Sequence, residues 1–230
     1  MPPAERPLAL GEILAETVRF YGERFWAALG VGAIVAGAFV VALLVPEALG
    51  IAILVVALTV VYGATVRLVS GDTFGEAWAQ VALRLPVLLI LGLAVTVPFA
   101  LAARYLLLLV VAAAWLGLVG FAIPVAMLER ESEPAGWFWR IGYALRRSLT
   151  LARAEYLHAL GVTITLIFIY VLVGTLLANT LVGFAENSGW AALTLVQVVF
   201  APFFFIGLSV LYFEQKARAV SSRRTDDRRR

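Results

Sequence analysis

The chain has 230 residues, of which 63% are hydrophobic and only 14% charged, with a formal net charge of +3 and a mean hydropathy of +0.96. A soluble domain carries roughly 25% charged residues, so the composition argues against an ordinary soluble protein. The sequence contains no cysteine, which excludes disulfides and thiolate chemistry.

The charged residues divide the chain into uncharged runs that are long enough for membrane spans, since a helix needs roughly 20 apolar residues to cross a bilayer. In chain order the six runs are 25–46, 48–66, 85–103, 105–128, 159–185 and 187–213. The first run follows a glutamate-rich segment and exceeds the roughly 7–15 apolar residues of a signal peptide, so we interpret it as a retained helix. The runs predict an all-α integral membrane protein, a six-helix bundle in which the chain reverses near Arg104 between the third and fourth spans.

The loop charges predict how the bundle is oriented. All 18 Lys and Arg residues except Arg104 fall in the joints on the side of the termini, 1–24, 67–84, 129–158 and 214–230. Because positively charged loops stay in the cytoplasm, we expect a multi-pass protein of the cell (plasma) membrane with both termini cytoplasmic. The single lysine among these 18 residues indicates a GC-rich genome and favours a bacterial source.

Amphipathic segments precede the first, third and fifth runs. In the first segment one stripe holds Glu12, Glu16, Arg19 and Glu23, and in the last segment one sector holds Arg140, Tyr143, Arg146, Arg147, Thr150 and Arg153. The middle segment is shorter, with polar residues at Glu76, Gln80 and Arg84, and it opens on a capping box from Thr73 to Glu76. Such segments predict three amphipathic helices that lie along the cytoplasmic interface.

The amphipathic segments also resemble one another. GEILA at Gly11 is echoed by GEAWA at Gly75, and the third copy begins at Gly142; ALGV occurs at 28–31 and again at 159–162. A spacing of about 65 residues predicts three parallel repeats, each an amphipathic helix followed by a transmembrane hairpin. The repeats would cover about 8–70, 73–131 and 134–213 of a single membrane domain, 1–213, followed by a charged, disordered cytoplasmic tail, 214–230.

Three motifs carry a resemblance to a bacterial family. They are Pro124-Val-Ala-Met-Leu-Glu129, then Ala144-Leu-Arg-Arg-Ser-Leu-Thr-Leu151 with Arg153, and finally Pro202 with Leu211-Tyr-Phe-Glu214 and Arg218. Over nearly its whole length the chain resembles the glycerophosphoryl diester phosphodiesterase membrane domain and its stand-alone relatives of unknown function. Glu214 and Lys216 depart from the aspartate and arginine expected there. The resemblance implies a membrane fold and no phosphodiesterase activity, because the catalytic barrel that names the family does not follow Glu214.

The basic residues of the third amphipathic segment are the candidate ligand contacts. Arg140, Arg146, Arg147 and Arg153 could bind anionic lipid headgroups or another phosphate, since guanidinium groups bind phosphate in a bidentate manner. The alternative is a solvated basic face that only fixes the topology of the chain.

Other polar residues have structural explanations. Glu129 and Glu214 each end a proline-containing helix, where we expect structural ion pairs with interfacial arginines, Arg218 among them, in preference to functional acids. Asn179 and Gln197 are the intramembrane polar residues, either lining a cavity or bonding neighbouring helices. His158, the only histidine, cannot form a usual metal site in a chain without cysteine, so we expect no metal and no cofactor.

Three functions follow from these patterns. We favour a non-enzymatic membrane protein that organises lipid or a partner through its basic cytoplasmic helices, with the bilayer, anionic headgroups and a protein partner or second copy as binding partners and no nucleic acid. The alternative is a transporter or permease subunit for an apolar or amphipathic small molecule, although the spans carry no central charged residue of the kind that coupled carriers use. An intramembrane enzyme is least favoured, because no nucleophile has a partner base.

Overall fold

The computed structural model describes residues 6–102, 106–129, 136–184 and 189–227, and this part of the chain forms helices without strands. The helices are α1 (Leu10–Glu23), α2 (Phe25–Leu44), α3 (Glu47–Ser70), α4 (Phe74–Ala102), α5 (Leu106–Val119), α6 (Ala122–Leu128), α7 (Trp137–Ala154), α8 (Tyr156–Phe184) and α9 (Gly189–Asp227).

Six helical segments are long and apolar enough to cross a membrane, which confirms the predicted number of spans. Five are the helices α2, α3, α4, α8 and α9, and the sixth combines α5 with α6. They pack in the closed order α2, α3, α4, α5, α8, α9 and back to α2, while α3 also touches α6 and α9 across the bundle. The fold is therefore that of a multi-pass membrane protein.

Two glycines bring neighbouring spans close together. A Cβ atom at Gly32 of α2 would lie 2.0 Å from the carbonyl oxygen of Val198 on α9, and one at Gly92 of α4 would lie 1.8 Å from the hydroxyl of Thr59 on α3. Only glycine fits where one helix meets the backbone or a buried side chain of the next at this distance. These two glycines therefore mark close crossings of α2 with α9 and of α4 with α3.

The first and last amphipathic segments form the separate helices α1 and α7. A single non-helical residue ends each of them, Arg24 before α2 and Glu155 before α8. These two residues are equivalent when Gly11 is aligned with Gly142. At the start of α1, the N–H of Ala9 donates to Glu12 and Arg6 pairs with the same carboxylate, and together they hold the pKa of Glu12 below its ordinary value.

The middle amphipathic segment does not form a helix of its own, which corrects one element of the predicted architecture. The predicted capping box is confirmed, since the N–H of Thr73 donates to Glu76 at 2.8 Å, but α4 then runs without a break to Ala102. The reason is one continuous stripe of buried residues along α4, namely Ala77, Val81, Leu88, Leu91 and Val95. Segment and span share this stripe and form one helix, although Pro86 lies inside it and has no N–H for the helical hydrogen bond. The threefold repeat stays a prediction.

The fourth span is broken near its C-terminal end. Pro124 has no N–H with which to bond the carbonyl of Gly120, four residues earlier, and the helix is interrupted at Gly120 and Phe121. At the other end, the predicted reversal near Arg104 lies outside the described residues. The two helices around it run antiparallel, since the indole N–H of Trp115 on α5 donates to the carbonyl of Ala94 on α4 at 2.8 Å.

The predicted disordered tail is wrong in its first part. Helix α9 continues well past the apolar run, as far as Asp227, and Glu214 and Gln215 are fully buried inside the bundle. Their burial and their hydrogen bonds hold this part of α9 against its neighbours, so the helix does not end with its apolar residues. Residues 228–230 of the predicted tail lie outside the described residues.

Candidate functional site

Most charged side chains of the described residues gather at one end of the bundle. We call this the polar end; it carries α1, α7, the last residues of α3 and α6, the first of α4 and α8, and the part of α9 from Glu214 onward. Both ends of the described chain meet here, since Arg218 donates through Nη2 to the carbonyl of Leu8 at 2.9 Å. The opposite end has Glu47 as its charged residue among those described.

Glu214 is the most deeply buried charged residue of the polar end, with no exposed surface. Its carboxylate pairs with Arg218 one turn later and accepts a hydrogen bond from the amide of Gln215 at 3.0 Å, and His158 Nε2 lies 3.8 Å away. Arg218 also pairs with Glu155 in the joint between α7 and α8. Because an isolated buried carboxylate would be very unfavourable, Glu214 depends on its partners, and Arg218 ties this part of α9 to the joint between α7 and α8 and to the N-terminal segment.

Glu129 follows α6 and accepts from three side chains. Arg147 Nε lies 3.0 Å from its carboxylate, the hydroxyl of Tyr143 donates to Oε2 at 3.0 Å, and the hydroxyl of Tyr212 donates to Oε1 at 3.1 Å. The carboxylate thereby joins α7 and α9 to the end of α6. Both glutamates named from the sequence lie beside arginines, and their structural role stays a prediction.

Two arginines that the sequence analysis did not single out as ligand contacts also meet at the end of α6. Arg84 donates through Nη1 to the carbonyls of Ala126, at 2.8 Å, and of Met127, and Arg67 Nη1 lies 3.5 Å from the Met127 carbonyl. The last carbonyls of a helix have no partner inside it, and a positive charge there also suits the helix dipole. No local pattern in the sequence pointed to these contacts, because they join residues 42 and 60 positions apart in the chain.

The four arginines predicted as ligand contacts separate into three environments. Arg147 belongs to the Glu129 group and is partly buried. Arg146 and Arg153 are exposed on α7, and among the described residues their side chains make no hydrogen bond or ion pair. Arg140 is exposed and lies on the wall of a cleft. The first turn of α7 is aromatic and largely exposed, with Trp137, Phe138 and Trp139 at 47%, 72% and 65%.

The cleft lies between α4, α6 and α7 and has a volume of about 360 Å³. Its apolar wall consists of Leu83, Pro86, Val87, Val125, Ala126 and Ala144, and its polar groups belong to Arg84, Glu129, Arg140 and Tyr143, with Trp137 beside them. Arg84 is held in place by its contacts with α6, and Glu129 by Arg147 and the tyrosines. The cleft therefore presents apolar and charged surfaces together at the polar end.

The polar residues predicted within the spans are not brought together. Gln197 on α9 accepts a hydrogen bond from the hydroxyl of Tyr170 on α8, so it joins two neighbouring helices. Asn179 is exposed on α8, and its side chain has no hydrogen bond within the described residues. It lies near the end of α8 opposite the polar end, four residues beyond Thr175 and well past the Tyr170 level.

Comparison with known proteins adds no relatives. No family model matches the chain, and neither do curated proteins or solved structures. The resemblance to the glycerophosphoryl diester phosphodiesterase membrane domain therefore remains a prediction from three short motifs.

Proposed function

We propose that this protein is a non-enzymatic organiser of anionic lipid, with the exposed arginines of α7 as its main headgroup contacts and the polar end in the cytoplasmic leaflet of the cell membrane. Arg146 and Arg153 carry the proposal, because they are exposed at the polar end without an acidic partner among the described residues. They are seven residues apart and so lie on one face of α7, roughly 10 Å from each other along the helix. That spacing suits contact with neighbouring phosphate groups.

The aromatic first turn of α7 supports the same placement. Exposed indole and phenyl rings are unfavourable in water but typical of the membrane interface, where an indole ring lies in apolar surroundings and its N–H stays hydrated. Helix α7 would lie at headgroup level, with its aromatic first turn in the membrane interface and its exposed arginines in contact with phosphate. Its buried residues Ala144, Ser148, Leu151 and Ala152 would fix it to the bundle.

The polar residues inside the bundle favour this proposal over the alternative of a transporter. Buried hydroxyl groups in the spans donate to carbonyls four residues earlier in their own helices: Thr59 to Val55, Thr65 to Val61, Thr163 to Ala159 and Ser209 to Phe205. Hydroxyls that are satisfied in this way add to the stability of a packed bundle and do not form a polar path across it. The cleft at the polar end is the feature that a carrier of amphipathic molecules would use.

The proposal is tested by the lipids that accompany the protein. The protein is reconstituted in phosphatidylcholine vesicles that contain a minority of phosphatidylglycerol, extracted with surrounding bilayer by a polymer, and its phosphatidylglycerol content measured by mass spectrometry. The double variant Arg146→Gln/Arg153→Gln should show several-fold less enrichment of the anionic lipid, because each basic residue near the surface contributes about 1 kcal/mol. The enrichment should also fall at high salt, where exposed charges are screened.

Arg19→Gln is the matched control for this experiment. Arg19 is exposed at the same end but pairs with Glu16 at 2.5 Å and with Glu23 at 3.7 Å on its own helix. Its removal should leave the enrichment unchanged. Equal enrichment in the wild-type protein and a correctly folded double variant would overturn the proposal.

A further inference from the structure

We propose that the cleft between α4, α6 and α7 binds one phospholipid with an anionic phosphate headgroup, which enters from the bilayer. The inference rests on the proposed function in one respect, the position of the polar end among lipid headgroups. It adds a defined site and a ligand class, a phosphate monoanion attached to acyl chains. The site differs from the exposed face of α7, where lipids would be attracted without being enclosed.

The charges of the cleft suit a phosphate. Arg84 on α4 and Arg140 on α7 bring two guanidinium groups to its wall. The one carboxylate among its lining residues, Glu129, is paired with Arg147 at 3.0 Å and accepts from Tyr143 and Tyr212, so its charge is balanced locally. Arg84 is held on the carbonyls of α6. A guanidinium that is already fixed loses less side-chain entropy when an anion binds.

The apolar wall suits an acyl chain. Pro86 and Val87 lie farther along α4 than Arg84, in the direction away from the polar end, and Val125 lies at the matching level of α6. A ligand with its phosphate near the arginines would therefore place its apolar part toward the middle of the membrane. This order of charged and apolar surfaces is the order found in a phospholipid. Free inorganic phosphate would leave the apolar wall unused.

The cleft opens toward the bilayer. Leu83 of α4 is 76% exposed and Trp137 of α7 is 47% exposed, and both residues line the cleft. Leu83 adjoins Arg84 where α4 continues into the third span, so its exposed apolar side chain would meet lipid near the level of the headgroups. A volume of about 360 Å³ is at the lower end of the roughly 300–1,000 Å³ of ligand pockets. It accommodates a headgroup and the first part of a chain, while the rest of the lipid remains in the bilayer.

Native mass spectrometry of the whole protein, released from phosphatidylcholine vesicles with a minority of phosphatidylglycerol, tests the inference. The wild-type protein should retain one phosphatidylglycerol more tightly than any other lipid. Arg140→Gln should weaken its retention about tenfold, the size expected for one charge-assisted contact. Ala126→Phe should abolish it by filling the cleft. Arg19→Gln should retain the lipid as the wild type does, and thermal unfolding of each variant shows that the bundle is intact.

Two further arms distinguish the source of the phosphate. A short-chain phosphatidylglycerol should bind more weakly than the long-chain lipid, and millimolar inorganic phosphate should not displace the lipid. Displacement by inorganic phosphate, or equal retention of uncharged phosphatidylcholine, would overturn the assignment. Unchanged retention in Arg140→Gln, together with unchanged retention in a folded Ala126→Phe, would also overturn it.

The extraction experiment and the native mass spectra together separate this inference from the proposed function. Arg146→Gln/Arg153→Gln should lose the general enrichment of anionic lipid yet keep the single tight one. If instead this double variant keeps the general enrichment while the cleft variants lose the tight lipid, the role of the α7 face is wrong and the cleft inference stands. If the double variant loses the general enrichment while the cleft variants keep the tight lipid, the cleft inference is wrong and the role of the α7 face stands.

Discussion

Replacing Gly32 with alanine should lower the free energy of unfolding by about 3 kcal/mol, the upper part of the range for overpacking. The added methyl group would lie 2.0 Å from the carbonyl oxygen of Val198 and 2.7 Å from its carbonyl carbon. These are backbone atoms of α9 that cannot rotate away, so α2 and α9 must separate along their whole contact. Reversible unfolding in mixed detergent micelles, followed by circular dichroism, measures the change.

Gly37→Ala on the same helix is the matched control. A Cβ atom at Gly37 has no neighbour within 4 Å, so the methyl group would point into open space. Alanine is a better helix former than glycine by roughly 0.5–1 kcal/mol, and this variant should be as stable as the wild type or slightly more stable. Equal losses at Gly32 and Gly37 would show that α2 and α9 do not cross as described.

Replacing Glu214 with leucine should cost about 3 kcal/mol, toward the lower end of the range for breaking a buried ion pair. Leucine removes the carboxylate that accepts from Arg218 and Gln215. The Arg218 guanidinium and the Gln215 amide then lose this acceptor inside the bundle. Arg218 retains its contacts with Glu155 and the Leu8 carbonyl, so the loss stays below the largest values known for such pairs. Reversible unfolding in mixed detergent micelles measures this loss in the free energy of unfolding.

The double variant Glu214→Leu/Arg218→Leu should recover part of this stability, because it removes the unpaired charge together with its partner. Glu12→Gln serves as the comparison, since the Arg6–Glu12 pair is exposed and exposed pairs contribute little. A cost at Glu214 no greater than that at Glu12, or a double variant less stable than the sum of its single changes, would contradict the buried network.

The number and positions of the spans could be predicted from the sequence, because they depend mainly on the length and apolarity of the uncharged runs. Inside a bilayer each backbone polar group needs a partner within the protein, so a long uncharged run is expected to form a helix. Each of the six predicted runs corresponds to a helical segment of the structure. The first and last residues of the helices were predicted less well from the sequence. The middle amphipathic segment and the third span form the single helix α4, because the same stripe of buried residues runs through both. Which residues are buried depends on the helices that pack against α4, and the sequence of α4 alone does not show this.

Helix contacts inside a membrane were less accessible from the sequence. Both the buried and the lipid-facing sides of a span are apolar, so periodicity does not show which side packs. Gly37 belongs to a small-residue spacing with Ala33, yet its surroundings are open, whereas Gly32 makes the close crossing. Which of the two glycines contacts a neighbouring helix depends on the position of α9, and the sequence of α2 does not show that position.

The candidate site was predicted in part. The basic sector of α7 was evident from its spacing, but adjacent arginines differ by about 100° around a helix, and this difference decides their roles. Arg147 faces Glu129, while Arg146 is exposed. The tyrosine contacts of Glu129 and the position of Arg84 at the end of α6 depend on residues far apart in the chain, so the cleft became visible only in the assembled bundle.

The central claim is that six helices cross the membrane and place the polar end in the cytoplasm. Because the chain has no cysteine, single cysteines can be introduced at the exposed positions Glu47, Gly75 and Ser221 and treated with a membrane-impermeant thiol reagent. In intact cells Glu47→Cys should react, whereas Gly75→Cys and Ser221→Cys should react only after the membrane is permeabilised. Labelling of Gly75→Cys or Ser221→Cys in intact cells, with Glu47→Cys protected, would contradict the account.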